Sequence, residues 1–207
     1  MRDRLARAGF KEKLLGEHQP PVTHYQLGEE QGSFYAEFLT PLIGGEYDRE
    51  GNRRATTQKA GIISQSLRYV DLLLASPWKV DLSPADGFLF EKVKEVRLPN
   101  PTCFIAQKLL IHERRDRHAR AKDVLYVHDT IELFGASLDA LHENWNKTAR
   151  QELSKNAIRT IKEAAFVLFS NVSDDIRGAS RAAAGRALEP ERIRELCYAG
   201  LQIIFNG

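Results

Sequence analysis

Long apolar runs are missing from this sequence: no stretch approaches the roughly 20 apolar residues that cross a bilayer as a helix. Cysteine is nearly absent, with only Cys103 and Cys197 among 207 residues. Two cysteines without metal-ligand spacing exclude a disulfide scaffold and a thiolate metal centre, and both sit in helical apolar patterns as small buried hydrophobes. A charge excess is lacking as well, since 30 basic residues stand against 28 acidic ones. Affinity for phosphate or nucleic acid must therefore come from local clustering of cations. The opening residues Met1 to Arg7 have no apolar stretch of the signal-peptide kind, and Asp3 speaks against a transit peptide. The expectation is a cytoplasmic protein with no membrane segment.

With 43% hydrophobic and 28% charged residues, the chain has the composition of a soluble globular domain. Residues 2–9 read as a short amphipathic helix closed by Gly9. Val22–Leu27 and Phe34–Leu39 read as strands joined by a hairpin loop over 28–33. Residues 44–58, rich in glycine and charge, read as an exposed loop. Ile63, Leu67, Val70 and Leu74 have helical spacing, which predicts a helix over 62–74 stopped by Ser76-Pro77. Trp78–Leu82 and Phe88–Leu98 read as strands joined through 83–87. Asn100-Pro101 is a helix-start signal, and helices are expected near 101–114, 121–134, 137–149, 151–169, 174–186 and 190–204. A β-rich half followed by an all-helical half makes the fold class α+β. Three regions are expected: β-rich residues 1–98, a helical hairpin over 99–149 and a helical extension over 150–207.

Candidate chemistry concentrates in 99–135. Lys108 stands among Ile105, Leu109, Leu110 and Ile111, where a lysine either lays its stem along apolar surface with its ammonium in solvent or points at an anion. Arg114, Arg115, Arg117, Arg120 and Lys122 place five cations within nine residues. Such a run is either a solvated helix end or a phosphate-holding surface, with arginines as forks and lysine as a point charge. Asp123, read in the first turn of the next helix, either complements the helix dipole or orients Lys108 or a water.

Glu37-Phe38-Leu39-Thr40-Pro41, then Leu67-Arg68-Tyr69-Val70-Asp71-Leu72-Leu73-Leu74, Leu98-Pro99-Asn100-Pro101, Lys108-Leu109-Leu110, Arg114-Arg115 and Lys122-Asp123 follow one another in a characteristic order. In this order the chain resembles bacterial nucleotidyltransferase-like proteins of the DNA polymerase β superfamily. It is similar, more distantly, to toxin-type nucleotidyltransferases of abortive-infection systems. The resemblance covers about residues 1 to 146. It implies transfer of a nucleotidyl group from a nucleoside triphosphate to an acceptor, RNA or protein, with Mg2+ neutralising the attacking and leaving oxygens.

Residue by residue, the resemblance places Glu37 on a strand as the third metal-binding carboxylate, the other reading being an exposed strand residue. It makes Glu37, Lys108 and Asp123 the catalytic candidates. Lys108, Arg114, Arg115, Arg120 and Lys122 become the phosphate-binding candidates. The Gly-Ser turn and Asp-x-Asp pair of the family should precede the Leu-Ala-x-x-Gly-Phe unit, here Leu5–Phe10, and are expected to be missing. Gly32-Ser33 does not replace the turn, because a β run follows it instead of a phosphate-holding helix. The competing expectation is a binding module without catalysis, with the C-terminal helices docking a protein partner.

Overall fold

A computed structural model describes residues 1–15, 22–28, 34–45, 47, 49–51, 54, 56–59, 62–87, 91–183 and 185–206. The chain forms two compact units, Met1–Asp71 and Leu72–Gly207. The class is α+β, with small sheets early in the chain and helices throughout its later part.

In the first unit, α1 (Arg2–Arg7) leads through Gly9, at φ +86°, into β1 (Lys11–Leu15). β2 (Val22–Leu27) pairs antiparallel with β1 and with β3 (Phe34–Ala36), in the register Tyr25 to Ala36. The expected β2–β3 neighbours are therefore present, while loop residues 29–33, with Gly32-Ser33, lie outside the described residues. The expected strand Phe34–Leu39 is interrupted at Glu37 and Phe38. Beyond that break, β4 (Leu39–Pro41) belongs to a different sheet, running parallel to β6 (Ile62–Leu67), which also pairs antiparallel with β5 (Thr56–Lys59).

The first six residues of the helix expected over 62–74 are thus strand. Ile62, Ser64 and Ser66 are buried while Ile63, Gln65 and Leu67 are only half-buried, which is a period of two. The helical spacing seen in the sequence mixed residues from β6 and the short α2 (Val70–Leu73), which are separated by Tyr69 in the left-handed region at φ 60°. The first three residues of β5, 56–58, lie within the stretch expected to be loop, and pairing with β6 makes them strand. Tyr25 meets Phe38 edge-on at 5.5 Å between ring centres and is buried with Ile62.

The second unit opens on a two-stranded ribbon, β7 (Trp78–Leu82) with β8 (Lys94–Leu98), in the register Val80 to Val96. The start of the expected second strand, residues 88–90, lies outside the described residues. α3 (Pro101–Ile111) follows, with Pro101 at its first position and the Asn100 side chain accepting from the Thr102 amide at 2.9 Å. Nine of its eleven residues are buried, so α3 is the central helix of the unit and its sequence is apolar on nearly every side.

α4 (Arg117–Leu133), α5 (Leu138–Asn144), α6 (Lys155–Ser170), α7 (Asp174–Ala182) and α8 (Pro190–Asn206) complete the unit. α6 buries Ala157, Ile161, Ala165 and Phe169, a stripe at every fourth residue. α8 buries Ile193, Cys197, Leu201, Ile204 and Phe205, and Phe205 meets Trp145 edge-on at 4.8 Å. Both cysteines are free and buried, and burial pushes the Cys103 thiol up to about 11. α7 lies close against α4: a Cβ built on Gly178 would stand 2.8 Å from the Ala121 Cβ, closer than two such carbons pack.

Candidate functional site

The hairpin of α3 and α4 turns through a 3-10 segment, His112–Arg114. The turn ends because Asp116 caps α4, its carboxylate accepting from the Ala119 amide at 2.9 Å. That hydrogen bond holds the Asp116 carboxyl below the usual carboxylate range. The cap starts α4 at Arg117, ahead of the expected 121, because the cations at 117–122 are helical surface and not loop. Asp123 therefore sits in the second turn and does not serve as a first-turn dipole partner.

From that position Asp123 faces α3. Its side chain is 2% exposed, with Oδ1 2.9 Å from the Lys108 Nζ and Oδ2 3.3 Å from the Arg115 Nε. The Lys108 ammonium also lies 5.3 Å from the Phe104 ring centre and 5.4 Å from that of Tyr126. Asp123 and the Arg115 Nε–H lack well-aligned hydrogen bonds among the described residues, so the cluster is held by charge more than by directional bonding. The interstice lined by Lys108, His112, Asp123, Val127 and Phe169 leaves no room for a water molecule.

A second layer is built by α7. The Ser173 hydroxyl accepts from the Ile176 amide at 3.3 Å, which places Asp174 and Asp175 in the first turn, where the helix dipole favours carboxylates. One Asp175 oxygen lies 3.2 Å from the His112 Nε2 and 3.4 Å from the Arg120 Nε. Because a carboxylate only accepts, the imidazole Nε2–H is the donor. Burial lowers the His112 pKa and outweighs the raising effect of Asp175, so the ring is neutral at pH 7. At the exposed edge Arg117 pairs with Asp174 at 3.2 Å.

Of the residues singled out from the sequence, the structure brings Lys108, Arg115 and Asp123 together. Arg120 stands beside Asp175, and Arg114 and Lys122 are exposed on the hairpin. Glu37 belongs to the first unit, in the link between β3 and β4 and not within a strand. It pairs there with His24, whose ring stacks on Tyr35 at 5.3 Å.

Magnesium requires carboxylate oxygens with room for water ligands. Among the described residues one group of three could hold a metal: His128, Asp129 and Glu132. Asp129, however, is gripped at both oxygens by the Arg186 guanidinium, at 2.9 and 3.0 Å, and by the His128 Nδ1 at 3.0 Å. Burial raises the Asp129 pKa, but Arg186 and His128 override it and hold the carboxyl low. Asp123 lies between two cations, and Glu37 is paired with His24. The described residues do not assemble a magnesium site.

Residues 1–151 match a family model described as nucleotidyltransferase. The chain belongs to that family. Nucleotidyl transfer is its general chemistry, and a nucleoside triphosphate its general substrate. No curated protein and no solved structure matches the chain. The matched residues include the whole α3–α4 hairpin of this nucleotidyltransferase family member and end before α6, α7 and α8. Asp174 and Asp175, which neutralise part of the hairpin, lie outside the match. Sequence reading missed them as site residues; the only local signal was an acidic pair directly after a Ser helix cap.

Proposed function

We propose that this chain transfers a nucleotidyl group from a nucleoside triphosphate to an RNA or protein acceptor, with the α3–α4 hairpin facing the triphosphate. The family match across residues 1–151, hairpin included, carries this reading. In the reaction an acceptor oxygen bonds to the α-phosphorus, the bond from that phosphorus to the pyrophosphate oxygen breaks, and the acceptor proton leaves to solvent. Extra negative charge develops on the phosphoryl oxygens and the leaving pyrophosphate, and fixed cations stabilise it.

Lys108 and Asp123 act here as positioning residues, since the Asp123 side chain is 2% exposed and the interstice beside the pair leaves no room for a water molecule. Asp123 anchors Arg115 through its Nε, while a third of the Arg115 side chain reaches the surface. Arg114, Arg115, Arg120 and Lys122 then present the cationic edge to phosphate. Because the described residues do not fit Mg2+, no step of this reading runs through a metal, and none of the 207 residues forms an Asp-x-Asp unit.

Incubation with α-labelled nucleoside triphosphates, Mg2+ and total RNA or protein extract tests the activity. Transfer of label that is lost in Arg115→Gln supports it. The failed magnesium site favours a second reading, in which the chain binds nucleotide through the hairpin without catalysis. A calorimetric titration separates the two: triphosphate binding that needs Arg115, with no label transferred, selects the second reading. Absence of both binding and transfer removes the hairpin from the nucleotide site.

A further inference from the structure

The first unit contains a cleft of about 390 Å3 whose lining includes Pro41, Leu42, Arg54, Thr57 and Ser66. We propose that this cleft binds a small phosphomonoester, its phosphate held by the Arg54 guanidinium and the Thr57–Ser66 hydroxyl pair. The proposal does not rest on the nucleotidyl-transfer reading, which concerns residues of the other unit.

Hydroxyl bookkeeping on the β4–β6–β5 sheet gives the first argument. Ser64 donates to the Thr57 carbonyl at 2.9 Å, so in its 3.3 Å contact with Thr40 it accepts. Thr57 and Ser66 hydroxyls lie 3.0 Å apart, and one of them donates to the other. If Thr57 donates, the Ser66 hydrogen has among these groups only the Thr40 oxygen at 3.5 Å, at the outer limit of a hydrogen bond, and if Ser66 donates, the Thr57 hydrogen has no acceptor among them. Both hydroxyls line the cleft, so a ligand oxygen there would receive a donor that the sheet does not use well.

Charge gives the second argument. Arg54 lines the cleft and uses its Nη1 to hold the loop, 2.9 Å from the Ile43 carbonyl oxygen and 3.5 Å from that of Gly45. Those bonds fix the plane of the guanidinium, which is the geometry that recognises phosphate oxygens as a fork. None of the described lining residues is acidic. Size gives the third argument. The volume exceeds what a bare phosphate fills and falls in the range of small-molecule sites, while Pro41, Leu42 and Ile43 offer an apolar wall for the rest of the ligand.

Titration of the full chain by calorimetry with inorganic phosphate, AMP and adenosine tests this. The expected result is binding of AMP, weaker binding of inorganic phosphate and none of adenosine. Arg54→Gln should weaken AMP by about tenfold or more. The double variant Thr57→Val with Ser66→Ala, which leaves the Arg54 loop bonds in place, should weaken it by about threefold to tenfold. Adenosine binding as well as AMP, or AMP binding unchanged in both variants with native thermal unfolding, overturns the proposal. So does failure of the wild-type chain to bind AMP at about 1 mM. An AMP signal that responds to Arg115→Gln and not to Arg54→Gln assigns the ligand to the hairpin and likewise overturns it.

Discussion

In the first unit Ser64 and Ser66 are buried among neutral hydroxyls, whereas in the second Asp123 is buried between two cations. Each region has a polar interior, built from hydroxyls in the first and from opposite charges in the second. The difference lies in what happens when one member is removed. A hydroxyl that loses a neighbour has another acceptor nearby, because each Ser or Thr both donates and accepts. A buried carboxylate that loses its cation keeps its charge and the cost of having left water. The helical unit is therefore the more fragile to single changes, and the sheet the more forgiving.

The largest test of that contrast is Lys108→Met, which keeps the stem and removes the charge facing Asp123. It should cost about 3–5 kcal/mol of unfolding free energy in urea titrations. Adding Asp123→Leu should restore most of the loss, because an apolar pair of similar bulk often replaces a buried ion pair at little cost. A single-variant loss below about 1 kcal/mol would mean that water reaches the pair and that the contrast with the sheet is false.

Next comes overpacking. Gly200→Ala sets a Cβ 2.5 Å from the Ile131 Cγ2 in the interior of the helical unit, which should cost about 1–3 kcal/mol. The neutral counterpart is Ser64→Ala, expected to cost about 1 kcal/mol. Ser64→Ala costing as much as Lys108→Met would erase the distinction between the two interiors.

His112 supplies the test by pH. Its folded pKa lies below the ordinary 6.5, so the unfolded chain takes up the proton more readily. The contribution of neutral His112 is fully present above 6.5 and is lost as pH falls through that value toward the folded pKa. Asp175, Arg120 and Asp123 are the charged groups acting on the ring. The wild-type urea midpoint should fall between about pH 7 and 5, and His112→Gln should flatten that slope. The smallest effect belongs to Arg117→Ala. Its bridge to Asp174 has both side chains about 70% exposed, and the change should stay within about 0.5 kcal/mol.

In the helical unit the start of α3 was legible because Asn100-Pro101 marks it, whereas the Ser154 and Ser173 caps were not read as signals and α6 was expected to start at 151, ahead of its observed start at Lys155. The start of α4 was misread because five cations outweighed one Asp at the capping position. β6 was misread because its inward residues include two serines, so hydrophobicity alone did not show the alternation. The meeting of Lys108 with Asp123 follows from hairpin geometry once both helices are placed. The contact of His112 with Asp175 spans 63 positions, and no local pattern announces it.

The approach of Gly178 to Ala121 has a consequence beyond packing. Ala121 is two residues from Asp123, and Gly178 is three from Asp175, so this close helix contact and the ionic layer share one short span. The missing methyl works as a spacer of fixed thickness, holding a fragment outside the family match at ionic distance from His112 and Arg120 within it. One added carbon at residue 178 would act as a wedge, detuning several charges at once without altering any charged residue.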